Sequence, residues 1–399
     1  MKEERKRILK MVEEGKLKVD DALALLEELE KAQQTMEQKQ EQIIHELSTA
    51  VNFEEAKKED PLNGKFQSTK EKIFEFVDSA LKKIKDFDLD LNFGQSVEIS
   101  HIFHHGDVYL KEMDIDVANG SLRIAAWDQN DVRIECQAKV YRVDTPEQAR
   151  QNFLKDVIFA IEGQKLRFMT QQKWMKVDAV IYVPKSQYDR VRVRMFNGSI
   201  SGEELNVGDF RVKTANGKID LERLSGIRAE IETANGHIKI KSSLFDDLEA
   251  ETINGAIKLD GDFKKIETQT FNGNVTYNLN GNRCELISAK ATTGSIDLFV
   301  PEGIPVNGEL KTNLGGFNVK LEGIQILEEK SEMIQKLLRF QSVNHPERML
   351  KVFVDTKTGS ITIHKSDGVS LLNRRREYEM ANRSFDQCCI VYGACGLFS

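Results

Sequence analysis

Apolar and polar residues alternate through most of the chain, and an Asn-Gly pair breaks the alternation at a regular interval. Asn197, Asn216, Asn235, Asn254 and Asn272 precede Gly198, Gly217, Gly236, Gly255 and Gly273, with spacings of 19, 19, 19 and 18 residues. Thr293-Gly294 forms a weaker member, and Asn119-Gly120 and Thr358-Gly359 stand as outliers. Apolar or threonine residues occupy the positions six, four and two before each Asn, as in Val191, Val193 and Met195, or Ala229, Ile231 and Thr233. Ile219 and Leu221, Ile238 and Ile240, and Ile257 and Leu259 stand two and four after the glycines. Both limbs have the period of a strand, so each repeat reads as two strands joined at a corner that glycine, and asparagine with it, can make in the left-handed conformation.

A single repeat of this length cannot bury its apolar face alone; stacked on its neighbours it closes a continuous core. The spacing therefore predicts a mainly β chain built as a β-solenoid, or β-helix-like repeat domain, of period about 19. Asn and Thr side chains would bond from coil to coil. A meander of Asn-Gly hairpins gives the same local pattern and stays open.

Outside the repeats, residues 3 to 30 read as two short helices, the first closed by Gly15 and the second capped by Asp20. Residues 31–69 are a polar helix and linker, and 70–86 place Ile73, Val77, Ala80, Leu81 and Ile84 on one stripe of an amphipathic, lysine-flanked helix. That helix caps the β-domain or makes peripheral membrane contact. The repeat domain spans 87–366, beginning with the alternating strand Asp86 to Gly94. Thr145-Pro146 caps a helix to about Ala160, with strands resuming at Lys165. Leu327 to Phe340 reads as an amphipathic helix and Met349 to His364 as a closing hairpin, and the cysteine-containing tail 367–399 follows no period.

Charge changes the picture in one place. The net charge of −7 argues against nucleic acid as a partner, and the acidic end of the second helix excludes a DNA-reading helix-turn-helix. The outward positions five and three before each Asn, however, are Arg192 and Arg194, then Arg211 and Lys213, then Glu230 and Glu232, Glu249 and Glu251, and Glu267 with Gln269. Stacked about 4.8 Å apart, they form a basic patch beside an acidic strip. The strip suits a cationic peptide or a divalent metal, and the patch an anionic polymer or lipid headgroup. The second limb carries Ser201, Asp220, Lys239, Lys258, Thr276 and Asp297, in which Asp220 and Glu222 face Lys239 and Lys241 as cross-coil salt bridges.

No phosphate loop, nucleophile elbow, Cys-x-x-Cys or His-Glu-x-x-His is present, and no cofactor is called for. Of the clustered His101, His104 and His105, a strand turns His104 away from the other two, so no metal site is expected. Cys136 and Cys284 read as reduced strand residues. The N-terminus lacks a signal peptide's apolar core and no stretch matches a membrane span, which gives a cytoplasmic expectation.

The stretch MKEERKRILKMVEEGKLKVDDALALLEELE resembles the helical hairpin of YvlB-like and LiaX-like proteins of Gram-positive bacteria. The strands from VIYVPKSQYDRVRVRMFNGSISGEEL through TANG, TANG, TING, TFNG and ATTGSIDLFVPEG resemble the bacterial β-strand-repeat family labelled as candidate adhesins. The resemblance implies a non-enzymatic accessory protein of the cell-envelope stress response. It would act with envelope-stress regulatory membrane proteins or in defence against cationic peptides, with cell-surface association in the LiaX kind as a further expectation; the residues of the hairpin at 1–30 themselves suit docking or self-association. A surface adhesin with a β-helical stalk and a β-helix carbohydrate-active enzyme are the alternatives.

Overall fold

The computed structural model describes residues 2–48, 95–332, 335–343 and 349–366. The strand at 87–93, the amphipathic helix at 70–86 and the tail at 367–399 lie outside the described residues. Two N-terminal helices, α1 (Lys2–Glu13) and α2 (Val19–Ser48), precede the β-structure, and a third, α3 (Pro146–Asp156), interrupts it. Gly15 closes α1 with φ 67, while α2 runs on as one helix well past Glu30.

The Asn-Gly corners stack in parallel. Each corner joins limb A, the strand before Asn, to limb B, the strand after Gly. The first rung is β2 (Glu112–Trp127) and the second β7 (Gln187–Glu203), paired so that Asn119 lies beside Asn197. The third rung comprises β8 (Asn206–Asn216) and β9 (Ile219–Glu222); β10 (Ser225–Asn235), β11 (Ile238–Asn254), β12 (Ile257–Asn272) and β13 (Val275–Leu279) supply the fourth to sixth. Asn235 pairs with Asn216 and Asn254, one full repeat to either side. In-register parallel pairing decides for the solenoid, because hairpins would pair antiparallel.

Both outliers belong to the series. Asn119-Gly120 is the first corner, separated in sequence from the second by an inserted cap. There, limb A pairs in parallel with β5 (Lys165–Thr170), which pairs antiparallel with β4 (Val157–Glu162), while limb B pairs in parallel with β6 (Met175–Pro184), from which the sheet continues antiparallel through β3 (Val132–Tyr141) to β1 (Ser96–His105). Helix α3 starts at Thr145, whose side chain accepts from the Gln148 amide, and stops at Asp156 because Val157 enters β4 opposite Thr170. Phe153 of α3 is buried in the solenoid core.

The C-terminal end overturns two sequence expectations. Rung seven is β14 (Leu286–Thr293) with β15 (Ile296–Pro301), and rung nine is β16 (Val306–Thr312) with β17 (Phe317–Lys320). The chain then returns: β20 (Leu350–Thr356) and β21 (Ile361–Ser366) do not form a hairpin but slot between them as rung eight, each parallel to a strand on both sides. The described residues of Leu327 to Phe340 form no helix either. They contribute to β18 (Ile324–Ser331) and β19 (Lys336–Ser342), an antiparallel pair on the free edge of β16. Phe340 packs where Gly308 of β16 leaves no side chain, so a distant vacancy outweighs local helical spacing.

Inward residues of both limbs form one core from Leu110 to Ile363, and every position assigned inward in the Asn-Gly repeats is buried. The corners hold together by hydrogen bonds running along the stack. Asn197 Nδ2 donates to Asn119 Oδ1 (2.9 Å), Asn216 to Asn197 (2.8 Å), Asn235 to Asn216 (2.8 Å), Asn254 to Asn235 (2.9 Å) and Asn272 to Asn254 (2.8 Å). Thr293 Oγ1 takes the last place, 2.6 Å from Asn272 Oδ1. The threonines do not bond to one another. Thr233 and Thr252 instead donate to the carbonyls of Gly217 and Gly236 in the preceding rung, at 3.1 and 2.9 Å.

The corner asparagines are not left-handed, and of the central glycines only Gly120, Gly198 and Gly294 have positive φ, between 139 and 149. What requires glycine is proximity: a Cβ on Gly236 would overlap the Gly217 carbonyl, and the same clash repeats along the stack. The left-handed residues sit at the other corner of the coil, where Glu204, Arg223 and Ser242 have φ of 57, 54 and 48.

Two substitutions separate these effects. Gly236→Ala should destabilise by at least ~3 kcal/mol, because two rungs must part, whereas Ser242→Gly should stabilise by about 1 kcal/mol through relief of a left-handed non-glycine backbone. Asn235→Ala should cost about 1–2 kcal/mol by interrupting the ladder on both sides. Urea unfolding of the three variants checks the order.

Candidate functional site

The charged positions of limb A fall on the outer face and stack as their spacing requires. Arg192 lies beside Arg211, which lies beside Glu230, then Glu249 and Glu267; Arg194 lies beside Lys213, then Glu232, Glu251 and Gln269. Rung one adds a row that the repeat spacing did not reveal, with Asp114 beside Arg192 and Asp116 beside Arg194. Asp116 is 3% exposed and lies 2.7 Å from Arg194 Nη2. Burial raises its carboxyl above the ordinary range, with Arg194 opposing the shift.

The basic patch is thus enclosed by acid on both sides. Lys213 Nζ lies 2.8 Å from Glu232 and 3.8 Å from Glu230, and also reaches Glu46 of α2 at 3.4 Å. Burial pulls the Lys213 ammonium down, but Glu232, Glu46 and Glu230 outweigh it and leave the group above its usual value. Arg211 pairs with Asp209 at 3.2 Å and Glu230 at 3.8 Å. Among the described residues, Arg192 has no acid partner.

The acidic strip is compensated at one end only. Glu251 pairs with Lys39 of α2, whereas Glu249 and Glu267 make no ion pair among the described residues. Partial burial raises the Glu249 carboxyl above its ordinary value, and Glu230, Glu267 and Glu251 raise it further. Excess negative charge therefore concentrates on rungs five and six.

The partner of this face is α2, in which the second helix of the hairpin and the polar helix expected after residue 30 are one continuous element. Phe196, Ala215, Ala234, Ile253 and Phe271, each one residue before a corner asparagine, form an apolar row against Met36, Ile43, Ile44 and Leu47 of α2. Farther along, Glu28 accepts from Asn313 at 2.8 Å and pairs with Lys357 at 3.6 Å, and Leu314 packs against the α1–α2 core. Helix α2 thus runs from rung nine back to rung two as a strap along the corner edge. The signal was present in the sequence, since these outward positions are apolar while the outward positions flanking them are charged.

On limb B the register places Asp220 beside Lys239 and Glu222 beside Lys241, but the expected cross-coil salt bridges are not what forms. Lys218 pairs with Asp220 at 3.2 Å and Arg223 with Glu222 at 2.7 Å, because both cations are nearer along the chain. The histidines diverge: His104 Nε2 lies 2.5 Å from Asp131, His105 contacts the Gly106 carbonyl at 3.0 Å, and His101 packs edge-on to Phe103. Among the described residues no three His, Cys, Asp or Glu side chains cluster to hold a metal. Cys136 and Cys284 are buried and unpaired, their thiols pushed up to about 12 by burial. No described helix is long and apolar enough to cross a membrane.

The profile of the Toastrack DUF4097 family matches residues 110–364, and that of a SHOCT-like domain matches residues 3–34. The uncharacterized protein YvlB of Bacillus subtilis strain 168 is 47% identical over 371 residues, covering 92% of this chain and all of the relative. Among solved structures, a candidate adhesin of Bacteroides fragilis aligns at 14% identity over 67% of this chain and 97% of its own, with a TM-score of 0.35. A candidate lipid-binding protein of Parabacteroides distasonis aligns at 11% identity over the same shares, with a TM-score of 0.34.

The raised Glu249 carboxyl has a pH signature. A folded-state value above the unfolded one penalises the fold once the group ionises, so the penalty is absent in acid and grows as pH rises through the carboxylate range. Glu249→Gln should therefore raise Tm by about 1–2 °C at pH 7 and leave it unchanged at about pH 3. Added salt should shrink the difference.

Proposed function

The chain belongs to the Toastrack DUF4097 family, and we propose that it serves as a non-enzymatic binding scaffold of the bacterial cell-envelope stress response, taking cationic peptides on the acidic strip of limb A. The observation that carries this reading is the uncompensated charge at Glu249 and Glu267, beside Glu230, Glu232 and Glu251, on a rigid sheet. Parallel strands hold these carboxylates at a fixed separation of about 4.8 Å between rungs, so their mutual repulsion cannot relax by backbone movement. A polycation relieves it.

The polar row of limb B supports the non-enzymatic part of the reading. Asp220 and Glu222 pair with Lys218 and Arg223, Arg223 also reaching Glu203 and Glu204, and Lys239, Lys258 and Asp297 make no ion pair among the described residues, so the row does not converge on a groove as a general acid and base would. The enclosed basic patch, in turn, favours a cation over an anion as ligand of this face. The envelope context, and regulatory membrane proteins as partners, rest on the likeness to YvlB-like and LiaX-like proteins.

The test is titration of the full chain with a cationic antimicrobial peptide at low salt and at about 0.3 M salt. The expected outcome is salt-sensitive binding that weakens at least about tenfold when Glu230, Glu232, Glu249 and Glu251 are all changed to Gln. Equal affinity of the two proteins would remove the strip as the binding surface.

A further inference from the structure

The apolar row under α2 has the dimensions and chemistry of a helix receptor. Two phenylalanines, Phe196 and Phe271, bracket the smaller Ala215 and Ala234, leaving a trough across five rungs. Its length, about 19 Å from four rung spacings, matches the rise of about 17 Å from Met36 to Leu47 along a helix. The acidic strip runs beside the trough, and α2 sets Lys39 on Glu251 from within it. What sits there is an amphipathic helix, with Ile43 and Leu47 buried and a lysine directed at the strip.

The strap has few apolar contacts along its middle. Between Leu29 and Ile43 its only large apolar residue is Met36, in the run Lys31 to Gln42 that is otherwise mostly Gln, Glu and Lys. Its anchors are the pair Ile43 and Leu47 at one end and Leu25 with Leu29 at the other. Each buried aliphatic side chain is worth about 1.5–3 kcal/mol, so Ile43 and Leu47, with the partly buried Met36 and Ile44 and the Lys39–Glu251 pair, are contacts of a kind that a competing cationic helix can reproduce, and only the Glu46–Lys213 pair is particular to the resident. Forty-six residues, 49–94, separate α2 from the next described residue, enough chain for α2 to leave while the solenoid stays intact.

We propose that the trough is the receptor for a cationic amphipathic helix, and that α2 is its resident occupant, exchanged for the ligand on binding. The inference rests on the cationic-peptide reading and adds its site, the ligand's helical form and the displacement of α2. An incoming helix lays its apolar face on Phe196 to Phe271 and its lysines on Glu249, Glu251 and Glu267. Binding and release of the strap are then one event, and the released α1–α2 hairpin carries the output.

The experiment uses the full chain with two probes, an 18-residue Leu/Lys amphipathic helical peptide and hexalysine, following α2 amide exchange alongside affinity. Saturation with the amphipathic peptide should speed exchange across residues 36–47 to that of an unprotected helix, and hexalysine should not. Ile43→Ala combined with Leu47→Ala loosens the occupant without changing the charge of the strip and should tighten the amphipathic peptide about fivefold or more, because a larger fraction of troughs is vacant. Ala234→Leu, which narrows the trough, should weaken that peptide while leaving hexalysine binding unchanged. If the amphipathic peptide binds with α2 still protected and the loosened variant no tighter, the exchange is overturned and the acidic strip stands as a cation surface. If neither probe binds either protein, the cationic-peptide reading falls, and the exchange with it.

Discussion

The close approach of successive backbones at the Asn-Gly corner is the constraint on which the rest of the molecule depends. Each corner glycine lies so near the carbonyl of the glycine one rung earlier that a methyl group would not fit, from Gly198 over Gly120 to Gly315 over Gly359. That contact locks the corners in register, and the register brings each Asn amide within 3 Å of the next. It also aims the Thr hydroxyl two residues earlier at the preceding glycine carbonyl, satisfying acceptors that would otherwise be buried without partners. Because the corner is fixed, the outward residue just before it is fixed too, and the five such residues from Phe196 to Phe271 line up as a trough straight enough to seat a helix.

The same register dictates the electrostatics. Parallel in-register stacking places equivalent positions of successive repeats side by side, so a charge repeated from one repeat to the next meets its like. The chain answers with blocks: acid at Asp114 and Asp116, base at Arg192 to Lys213, then acid at Glu230 to Glu267. Block boundaries are stabilising, as the contacts of Arg194 and Lys213 show, and the interior of a long block is not. Partial burial is the main cause of the raised Glu249 carboxyl, and its place in the interior of the longer acidic block raises it further, whereas Glu232, at the block boundary, has Lys213 at 2.8 Å.

How much of this was legible follows from locality. The repeat spacing and alternation contain the rung stack, the buried positions and the charged rows, because in a solenoid a residue's spatial neighbour lies one period away in sequence. Where the neighbour is not one period away, the reading fails. Asn119-Gly120 looks isolated because a cap intervenes before Asn197, and Leu327 to Phe340 looks helical because its partner, the vacancy over Gly308, lies elsewhere in the chain. The left-handed corner at Glu204, Arg223 and Ser242 has no residue signature, since none of the three is Gly, Asn or Asp. At the candidate site the charged rows were legible and their compensation was not, because Asp116, Lys39 and Glu46 reach them from the cap-side rung and from α2.

The reversed order of the last rungs ties the strap to completion of the fold. Rung nine precedes rung eight in sequence, yet β16 and β17 reach the stack only through β20 and β21, the last strands described. Closure at this end therefore waits on contacts of long sequence separation, which are slow to form because loop entropy must be overcome first. The N-terminal half of α2 docks at this junction, where Glu28 meets both Asn313 of rung nine and Lys357 of rung eight and Leu314 completes the hairpin core. The strap can be fully seated only on a solenoid whose final strand is in place. Its two ends consequently rest on different parts of the molecule: the rung-nine end on closure of the fold, and the rung-two end on the apolar row and the charged positions of limb A.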